Sequence, residues 1–208
     1  MTLPVVTVVD DDDQVRESLA TLLQSMNLSV ECFASPREFL DTYSCDQPGC
    51  IVLDLRMPQL NGLEVIDELS RRRCRAPIIV ISGHGDIPAA VSAMKAGAID
   101  FLEKPYRGAT LMEGVRRALE VDARHRKAES ERRALLERYE SLTPNEKNVL
   151  ELTVSGKPDK AIALKLDLSL RTIQLRRASV MRKLNARSRA DLIRLAQTFE
   201  QAAPQNTG

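Results

Sequence analysis

The 208-residue sequence predicts an α/β protein, with a doubly wound sheet of five parallel strands followed by a small all-α domain. Two observations predict this architecture. Through residue 120, short runs rich in Val, Ile and Leu alternate with stretches whose apolar residues recur at helical spacing. Beyond residue 120 the strand-like runs stop and only helical patterns continue. We expect a first domain over residues 1–120, a helical linker over 121–141 and a second domain over 142–208.

The five strands are predicted where β-branched runs lie between turn residues. In chain order they are Val5–Val9, Leu28–Phe33, Cys50–Leu55, Pro77–Ser82 and Ala98–Leu102. The stretches between them have apolar residues at helical spacing, so each strand is expected to be followed by a helix. In such sheets ligands bind beyond the carboxyl ends of the strands. Function is therefore expected at Asp10, Asp54, Ser82 and just past Leu102.

The second half of the chain predicts one long helix and then four short ones. From Val115 to Leu142 there is neither Gly nor Pro, and charges of both signs interleave. Its apolar content is too thin for a coiled-coil seam, so a solvated helical connector is expected. Thr143 followed by Pro144 predicts an N-cap and a first helical residue. The short helices are predicted at Pro144–Ser155, Pro158–Leu166, Ser169–Leu184 and Ser188–Phe199.

The net charge of +1 conceals two oppositely charged halves. Residues 1–120 carry 12 basic and 18 acidic side chains, whereas residues 141–208 carry 12 and 6. Such a split in charge is typical of a protein whose two domains bind different partners.

Composition excludes several classes of protein. No apolar run reaches the roughly 18–20 residues of a membrane span, and no signal peptide follows Met1, so a cytoplasmic protein without membrane contact is expected. The four cysteines have no CxxC spacing, which predicts reduced, mostly packed thiols. The absence of Trp and an aromatic content of 3% argue against a stacking platform for single-stranded nucleic acid.

Acidic residues follow two of the predicted strands. Asp10 to Asp13 come after the first strand, and Asp54 ends the third. Carboxylates that converge at one sheet edge suit Mg²⁺, which binds through one or two carboxylates together with a phosphate. Ser82 adds a hydroxyl and Lys104 an ammonium, and Lys104-Pro105 raises the chance of a cis peptide bond. The alternative for Asp10 to Asp13 is a helix N-cap cluster favoured by the helix dipole.

Four motifs at these strand ends resemble the receiver domain of bacterial two-component response regulators, and the last two of them are similar to those of the FixJ-type subfamily. They are Val-Val-Asp10-Asp11-Asp12, Leu-Asp54-Leu-Arg-Met-Pro58, Ile-Ser82-Gly-His-Gly-Asp and Asp100-Phe101-Leu-Glu-Lys104-Pro105. The resemblance covers about residues 4 to 120 and implies a flavodoxin-like fold.

The resemblance also implies roles for individual residues. Asp54 is expected to be the phosphoacceptor, with Ser82 and Lys104 contacting the phosphoryl group. Mg²⁺, or Mn²⁺ in its place, is expected on Asp10, Asp11, Asp54 and the backbone carbonyl of Arg56. Phe101 is expected to change rotamer on activation. Two alternatives stay open: Asp12 replaces a neighbour in the metal shell, and Phe101 is a plain core aromatic.

Residues 158–184 predict a helix, a short turn and a second, cationic helix. The second helix carries no acid, and its basic residues are Arg171, Arg176, Arg177, Arg182 and Lys183. Ile173, Val180, Met181 and Leu184 supply its buried face. Such a helix fits the DNA major groove, and the alternative is a merely solvated basic face.

From Leu142 to Leu192 the sequence resembles the LuxR-type helix-turn-helix, through Leu142-Thr-Pro-Asn-Glu, Lys160-Ala-Ile-Ala, Arg171-Thr-Ile and Ser188-Arg-Ala-Asp-Leu. The resemblance implies that the cationic helix enters the groove and that the last helix forms a dimer contact. The DNA-binding residues are then expected to be Arg171, Thr172, Gln174, Leu175, Arg176, Arg177, Ala178 and Lys183. Asp167 stands in place of the usual turn Gly, and Gln174-Leu-Arg-Arg-Ala178 differs from the commoner Lys-Val-His-Arg pattern.

Together the resemblances imply a transcription regulator, most simply an activator, and not an enzyme. Its expected partners are a sensor histidine kinase, double-stranded promoter DNA, RNA polymerase and a second copy of itself. Dimerisation on phosphorylation is expected to use the face formed by the fourth helix and fifth strand. The family includes regulators of nitrogen fixation and of aromatic catabolism.

Two other functions are considered. The motif Asp10-x-Asp12 after an apolar strand is similar to the motif of the haloacid-dehalogenase-type phosphatases. In such an enzyme Asp10 would be the nucleophile. However, Gln14 stands where that motif has Thr or Val. A regulator or interaction module that never takes phosphate is the third possibility.

Overall fold

The computed structural model describes residues 3–83 and 87–202. The chain divides into two compact units, Met1–Ala128 and Glu129–Gly208, and the division falls inside a helix. None of the described helices is both long enough and apolar enough to cross a lipid bilayer.

The first unit contains a five-stranded, all-parallel sheet, which confirms the predicted fold class. Its strands are β1 (Val5–Val9), β2 (Ser29–Phe33), β3 (Gly49–Asp54), β4 (Ile78–Ser82) and β5 (Asp100–Glu103). They lie in the order β2-β1-β3-β4-β5. The strand β5 begins two residues later than predicted, because the amide of Ala98 donates to the carbonyl of Ala93 and closes the preceding helix.

Five of the described helices belong wholly or partly to this unit: α1 (Asp13–Gln24), α2 (Pro36–Thr42), α3 (Gly62–Arg71), α4 (Ile87–Ala96) and α5 (Gly108–Glu140). They cover both faces of the sheet, so the central strand β3 is buried at every residue. Ile51 and Leu53 pack into one apolar cluster with residues of α2, α3 and α4, whereas Cys50 and Val52 pack into a second with residues of α1 and α5. Because both of its faces are buried, β3 requires a continuous apolar run.

The strand order places the first and third strand ends side by side. β2 lies on one side of β1, and β3, β4 and β5 follow on its other side, so the strand order reverses between β1 and β3. Val9 is paired with Leu53. The residues that follow Val9 and Leu53 in the chain are Asp10 and Asp54. Both aspartates therefore lie at the same edge of the sheet, at the point where the strand order reverses.

The second unit is all-helical. After the end of α5 it contains α6 (Pro144–Val154), α7 (Asp159–Leu166), α8 (Leu170–Lys183) and α9 (Arg189–Ala202). Thr143 caps α6 through its side chain, as predicted, and Ser169 caps α8 in the same way. Asp167 ends α7 with φ 53° and ψ 50°, the left-handed conformation that a glycine adopts most easily and that Asp tolerates. Ile173 and Val180 turn one side of α8 into the core.

The four cysteines are all free thiols. The prediction that they are mostly packed holds for Cys50, which is buried in β3, and is wrong for Cys32, which is exposed on β2 because the side chains of that edge strand face solvent. Cys45 and Cys74 are half-buried in loops.

Candidate functional site

Two buried carboxylates share one ammonium group at the carboxyl edge of the sheet. Lys104 Nζ donates to Asp10 Oδ2 at 2.8 Å and to Asp54 Oδ1 at 2.9 Å. Asp10 is 1% exposed and Asp54 is 4% exposed, so neither charge is screened fully by water. The ammonium supplies positive charge between two negative groups that would otherwise repel each other.

The ends of three strands position these side chains. Asp10 follows β1, Asp54 is the last residue of β3, and Lys104 follows β5. The amide of Lys104 donates to the carbonyl of Ser82 at 2.7 Å, which extends the pairing of β4 and β5 to the lysine. The Lys104-Pro105 peptide bond is cis.

Backbone donors hold the second oxygen of each carboxylate. Asp54 Oδ2 accepts from the amide of Arg56 at 2.8 Å, and Asp10 Oδ1 accepts from the amide of Asp12 at 3.0 Å. Because one oxygen of each group is anchored in this way, the oxygens that meet Lys104 have a defined orientation.

The electrostatics of the pair follow from burial and from the shared lysine. Burial raises the pKa of Asp54 above its ordinary value, the hydrogen bond and charge of Lys104 lower it, and Asp10 raises it further. For Lys104, burial lowers the pKa, but the hydrogen bonds to Asp10 and Asp54 outweigh burial and raise it overall. Lys104 therefore remains a cation throughout the neutral range.

The other acidic residues after β1 have different positions. Asp11 is exposed. Asp12 is the N-cap of α1, and its Oδ1 accepts from the amides of Gln14 and Val15 at 2.9 and 3.3 Å. The helix-cap alternative therefore describes Asp12, whose capping oxygen is already engaged with the backbone. The alternative does not describe Asp10.

Ser82 and Phe101 lie near the same edge. Ser82 ends β4 and is fully buried. Phe101 lies on β5 opposite Val80 and is half-buried against the apolar cluster that includes residues of α3 and α4. His84, Gly85 and Asp86, which complete the motif that begins at Ile81, lie outside the described residues.

The donor set fits a divalent metal of the magnesium type through two carboxylates. Across residues 3–83 and 87–202 no three acidic, His or Cys side chains converge as a ready metal-binding group. Asp10 and Asp54 are nevertheless brought to one cation, Lys104 Nζ, and both present oxygen. Since Mg²⁺ binds through one or two carboxylates plus water and phosphate oxygens, this pair is a sufficient protein contribution.

Two residues of this site were missed at the level of sequence. Arg16 on α1 donates from Nη1 to the carbonyl of Asp10 at 2.7 Å. Tyr106 is half-buried and has its pKa raised by burial, while Lys104 lowers this pKa and Asp10 raises it. The sequence signal that could have identified Tyr106 is its position two residues after Lys104. No sequence signal pointed to Arg16.

The helix α8 presents a mixed exposed face. Arg171, Gln174, Leu175 and Ala178 are exposed, and Thr172 and Arg176 are half-buried. Leu175 is 63% exposed and lies within this face. The hydroxyls of Thr172 and Ser169 lie 2.8 Å apart at the start of the helix.

Two of the predicted DNA-binding cations have acidic partners within their own unit. Arg177 Nη1 lies 2.5 Å from Asp159 Oδ1, and Lys183 Nζ lies 2.7 Å from Glu146 Oε2. Both ion pairs join α8 to another helix of the unit, α7 for Arg177 and α6 for Lys183. They hold α8 in place as well as contributing positive charge.

Glu146 is the centre of a buried polar network that sequence reasoning missed. It accepts from Lys183, from Ser179 Oγ at 2.7 Å and from the amide of Thr143 at 2.8 Å. The hydrogen bond from Lys183 is the main reason that the pKa of Glu146 falls to about 2. The Thr-x-x-Glu spacing of a capping box was the signal that could have found Glu146.

Replacing Glu146 by Gln is expected to destabilise the helical unit by about 2 kcal/mol at neutral pH, because Lys183 loses its charged partner. The pKa of Glu146 is depressed on folding, so this stabilisation is fully present above its ordinary value of 4.5 and is lost as pH falls towards about 2. Urea unfolding of wild type and E146Q between neutral and acid pH measures the difference. If the difference in unfolding free energy between wild type and E146Q did not narrow at low pH, this account would be contradicted. Glu151→Gln, at an exposed position of the same helix, is the matched control.

Comparison with known proteins assigns both units. The description "Response regulator receiver domain" matches residues 6–116, and "Bacterial regulatory proteins, luxR family" matches residues 140–196. Transcriptional regulatory protein FixJ of Azorhizobium caulinodans is 46% identical over 191 residues, which cover 92% of this chain and 90% of that protein. Response regulator protein TodT of Pseudomonas putida is 42% identical over 196 residues, covering 94% and 86%.

A solved structure agrees over nearly the whole chain. The low-resolution structure of response regulator StyR has a TM-score of 0.87 and 41% sequence identity, and the match covers 94% of this chain and 99% of that one. At this identity StyR is a relative of the chain.

Proposed function

Because this chain belongs to the two-component response regulators that join a receiver domain to a LuxR-type DNA-binding domain, we propose that phosphorylation of Asp54 controls its binding to promoter DNA. The relatives are named regulators, so the chain is a transcription regulator and the phosphatase alternative is set aside. The proposed domain limits are 1–120 for the receiver, 121–141 for the linker and 142–208 for the DNA-binding domain.

The shared ammonium of Lys104 is the observation that carries the proposal for Asp54. A receiver domain implies a histidine kinase as phosphodonor. Asp54 Oδ1, the oxygen that meets Lys104 Nζ at 2.9 Å, is the proposed nucleophile. The second oxygen stays on the amide of Arg56, which orients the carboxylate for in-line attack. Lys104 then neutralises charge on the phosphoryl oxygens.

The proposed metal-binding residues are Asp10, Asp11, Asp54 and the backbone carbonyl of Arg56, for Mg²⁺ or Mn²⁺. When bound, the ion supplies positive charge to the transferring phosphoryl group. Asp10 is already oriented for this role by the amide of Asp12. Asp11 is exposed, whereas Asp10 and Asp54 are buried.

A phosphoryl group on Asp54 would bring roughly −1.5 to −2 charges and three strong acceptors to this edge. Ser82 and Lys104 are the proposed donors to those acceptors, and Phe101 is the proposed aromatic that follows their movement. The exposed apolar side chains of α4 support dimerisation through the face of α4 and β5. They are Ile87, Val91 and Met94, which are 80%, 44% and 48% exposed.

The exposed face of α8 is the proposed DNA-reading surface. Gln174, Leu175 and Ala178 are proposed to face bases, and Arg171, Thr172 and Arg176 to lie nearer phosphates. Two such helices in a dimer would meet half-sites about one turn apart.

Arg177 and Lys183 remain proposed DNA-side cations, and their acidic partners give them an additional positioning role. Activation of transcription through RNA polymerase, in the cytoplasm, completes the proposal.

Treatment with acetyl phosphate and Mg²⁺ tests the proposal as a whole. We expect the phosphorylated protein to shift from monomer towards dimer mass in light scattering and to bind a selected DNA duplex at least about tenfold more tightly. Random-sequence duplex selection supplies the DNA. Unchanged mass and unchanged affinity after verified phosphate incorporation would favour a regulator that does not use phosphate.

A further inference from the structure

One arginine near the start of α1 reaches back over the acidic segment that follows β1. Arg16 Nη1 donates to the carbonyl of Asp10 at 2.7 Å, and Nη2 forms an ion pair with the carboxylate of Asp13. The side chain of Arg16 is only 14% exposed, whereas that of Asp13 is 82% exposed. A single guanidinium therefore joins the first and the last residue of the run of four aspartates.

The backbone of Asp10 lies just beyond the paired part of β1. The register of β1 with both β2 and β3 ends at Val9. The amide of Asp10 still donates to the carbonyl of Phe33 at 3.2 Å, but its carbonyl accepts from Arg16. A side chain of α1 thus supplies the donor for the peptide group that directly follows Asp10.

The helix dipole does not favour a cation at this position. Basic side chains are stabilised near the C-terminus of a helix, whereas Arg16 lies in the first turn of α1. The acceptors on Asp10 and Asp13 therefore account for its placement. The two nitrogens of the planar guanidinium bind separate acceptors here, which is a geometry that the single ammonium of lysine does not reproduce.

We propose that Arg16 is a positioning residue for the divalent cation, because it fixes residues 10–13 in the shape in which Asp10 and Asp11 receive Mg²⁺. This inference rests on the metal site of the proposed function. Asp11 is exposed and lies between Asp10 and Asp12, whose hydrogen bonds to the backbone define the turn. Loss of a group that orients metal ligands without binding the metal typically lowers metal affinity by roughly 10- to 100-fold.

The alternative role of Arg16 is purely electrostatic. As a cation beside several carboxylates, it would reduce their mutual repulsion and would oppose the approach of Mg²⁺. Removal of its charge would then tighten Mg²⁺ binding, and a lysine in its place would leave Mg²⁺ binding unchanged. The positioning role predicts weaker binding for both substitutions, so two variants distinguish the two roles.

The experiment titrates the full chain with Mg²⁺ and follows the thermal midpoint of the receiver unit. A cation that binds only the folded state raises this midpoint, so the affinity is obtained without any phosphoryl transfer. Arg16→Lys keeps the charge and loses the fork, whereas Arg16→Met keeps an unbranched stem and loses the charge. We expect both variants to need at least about tenfold more Mg²⁺ than wild type for the same rise. Arg37→Lys, at an exposed position of α2, is the matched control and should titrate like wild type.

The outcomes separate this inference from the proposed function. An unchanged Mg²⁺ requirement in Arg16→Lys, or a lower one in Arg16→Met, would overturn the positioning role and leave the metal site intact. If the midpoint of the wild-type receiver unit did not rise with Mg²⁺, the metal site itself would be contradicted, and this inference with it. Because Arg16→Lys retains the charge and most of the side chain, it decides the result even if Arg16→Met does not fold.

Discussion

Asp54→Asn is expected to reduce phosphoryl incorporation from acetyl phosphate by at least about a thousandfold, because the amide cannot act as the attacking oxygen. Asn has nearly the same shape as Asp and can still accept from the amide of Arg56, which holds Oδ2 at 2.8 Å. The measurement is intact mass of the protein after treatment with the phosphodonor and Mg²⁺. Asp41→Asn, which removes an exposed carboxylate on α2, is the control and should label like wild type.

Stability measurements separate loss of the nucleophile from loss of the fold. The pKa of Asp54 is raised on folding, so the ionised carboxylate costs stability at pH values above its ordinary value of 3.8. The neutral Asn removes that cost, so D54N should unfold at equal or higher urea concentration than wild type at neutral pH. This advantage should shrink as pH falls to 3.8 and below. Normal labelling of a folded D54N would show that another residue is the phosphoacceptor.

DNA binding is expected to weaken by about 10³-fold or more between 50 and 200 mM salt if a dimer makes 6 to 10 phosphate contacts. Arg171→Ala removes one exposed cation from α8 in each protomer. The slope of log affinity against log salt should therefore fall by about two for the dimer, with little change in the preferred sequence. Fluorescence anisotropy with a selected duplex at several salt concentrations measures the slope.

The control for this experiment is Arg133→Ala, which removes an exposed cation from α5 and should leave the slope unchanged. Arg177→Ala provides a second comparison, since Arg177 is paired with Asp159 at 2.5 Å. It should change the slope less than Arg171→Ala and should lower the stability of the helical unit. A salt response that is flat in wild type would exclude α8 as a phosphate-tracking helix.

Local patterns were sufficient for the architecture and for the location of the site. Short β-branched apolar runs predicted all five strands within about two residues, because strands that are covered by helices on both faces of a sheet are apolar along most of their length. Parallel strands end at one edge, so Asp10, Asp54, Ser82 and Lys104 could be placed there before any contact was known. The N-cap at Thr143 depends on only a few neighbouring residues, and it was predicted correctly.

Contacts between distant side chains required the tertiary structure. Lys104 bonds Asp10 across 94 residues and Asp54 across 50, whereas Asp12 caps a helix only two and three residues away. Four consecutive aspartates look alike in sequence, and only strand register and side-chain direction distinguish them.

The fold class, the charge of each domain and the strand ends at which the site was expected follow from the amino-acid sequence. Which carboxylates share Lys104, and which cations of α8 are paired, became clear only from the packing of the folded chain. Apolar runs and helix caps depend on residues that are near neighbours in the chain, whereas ion pairs depend on how separate elements pack.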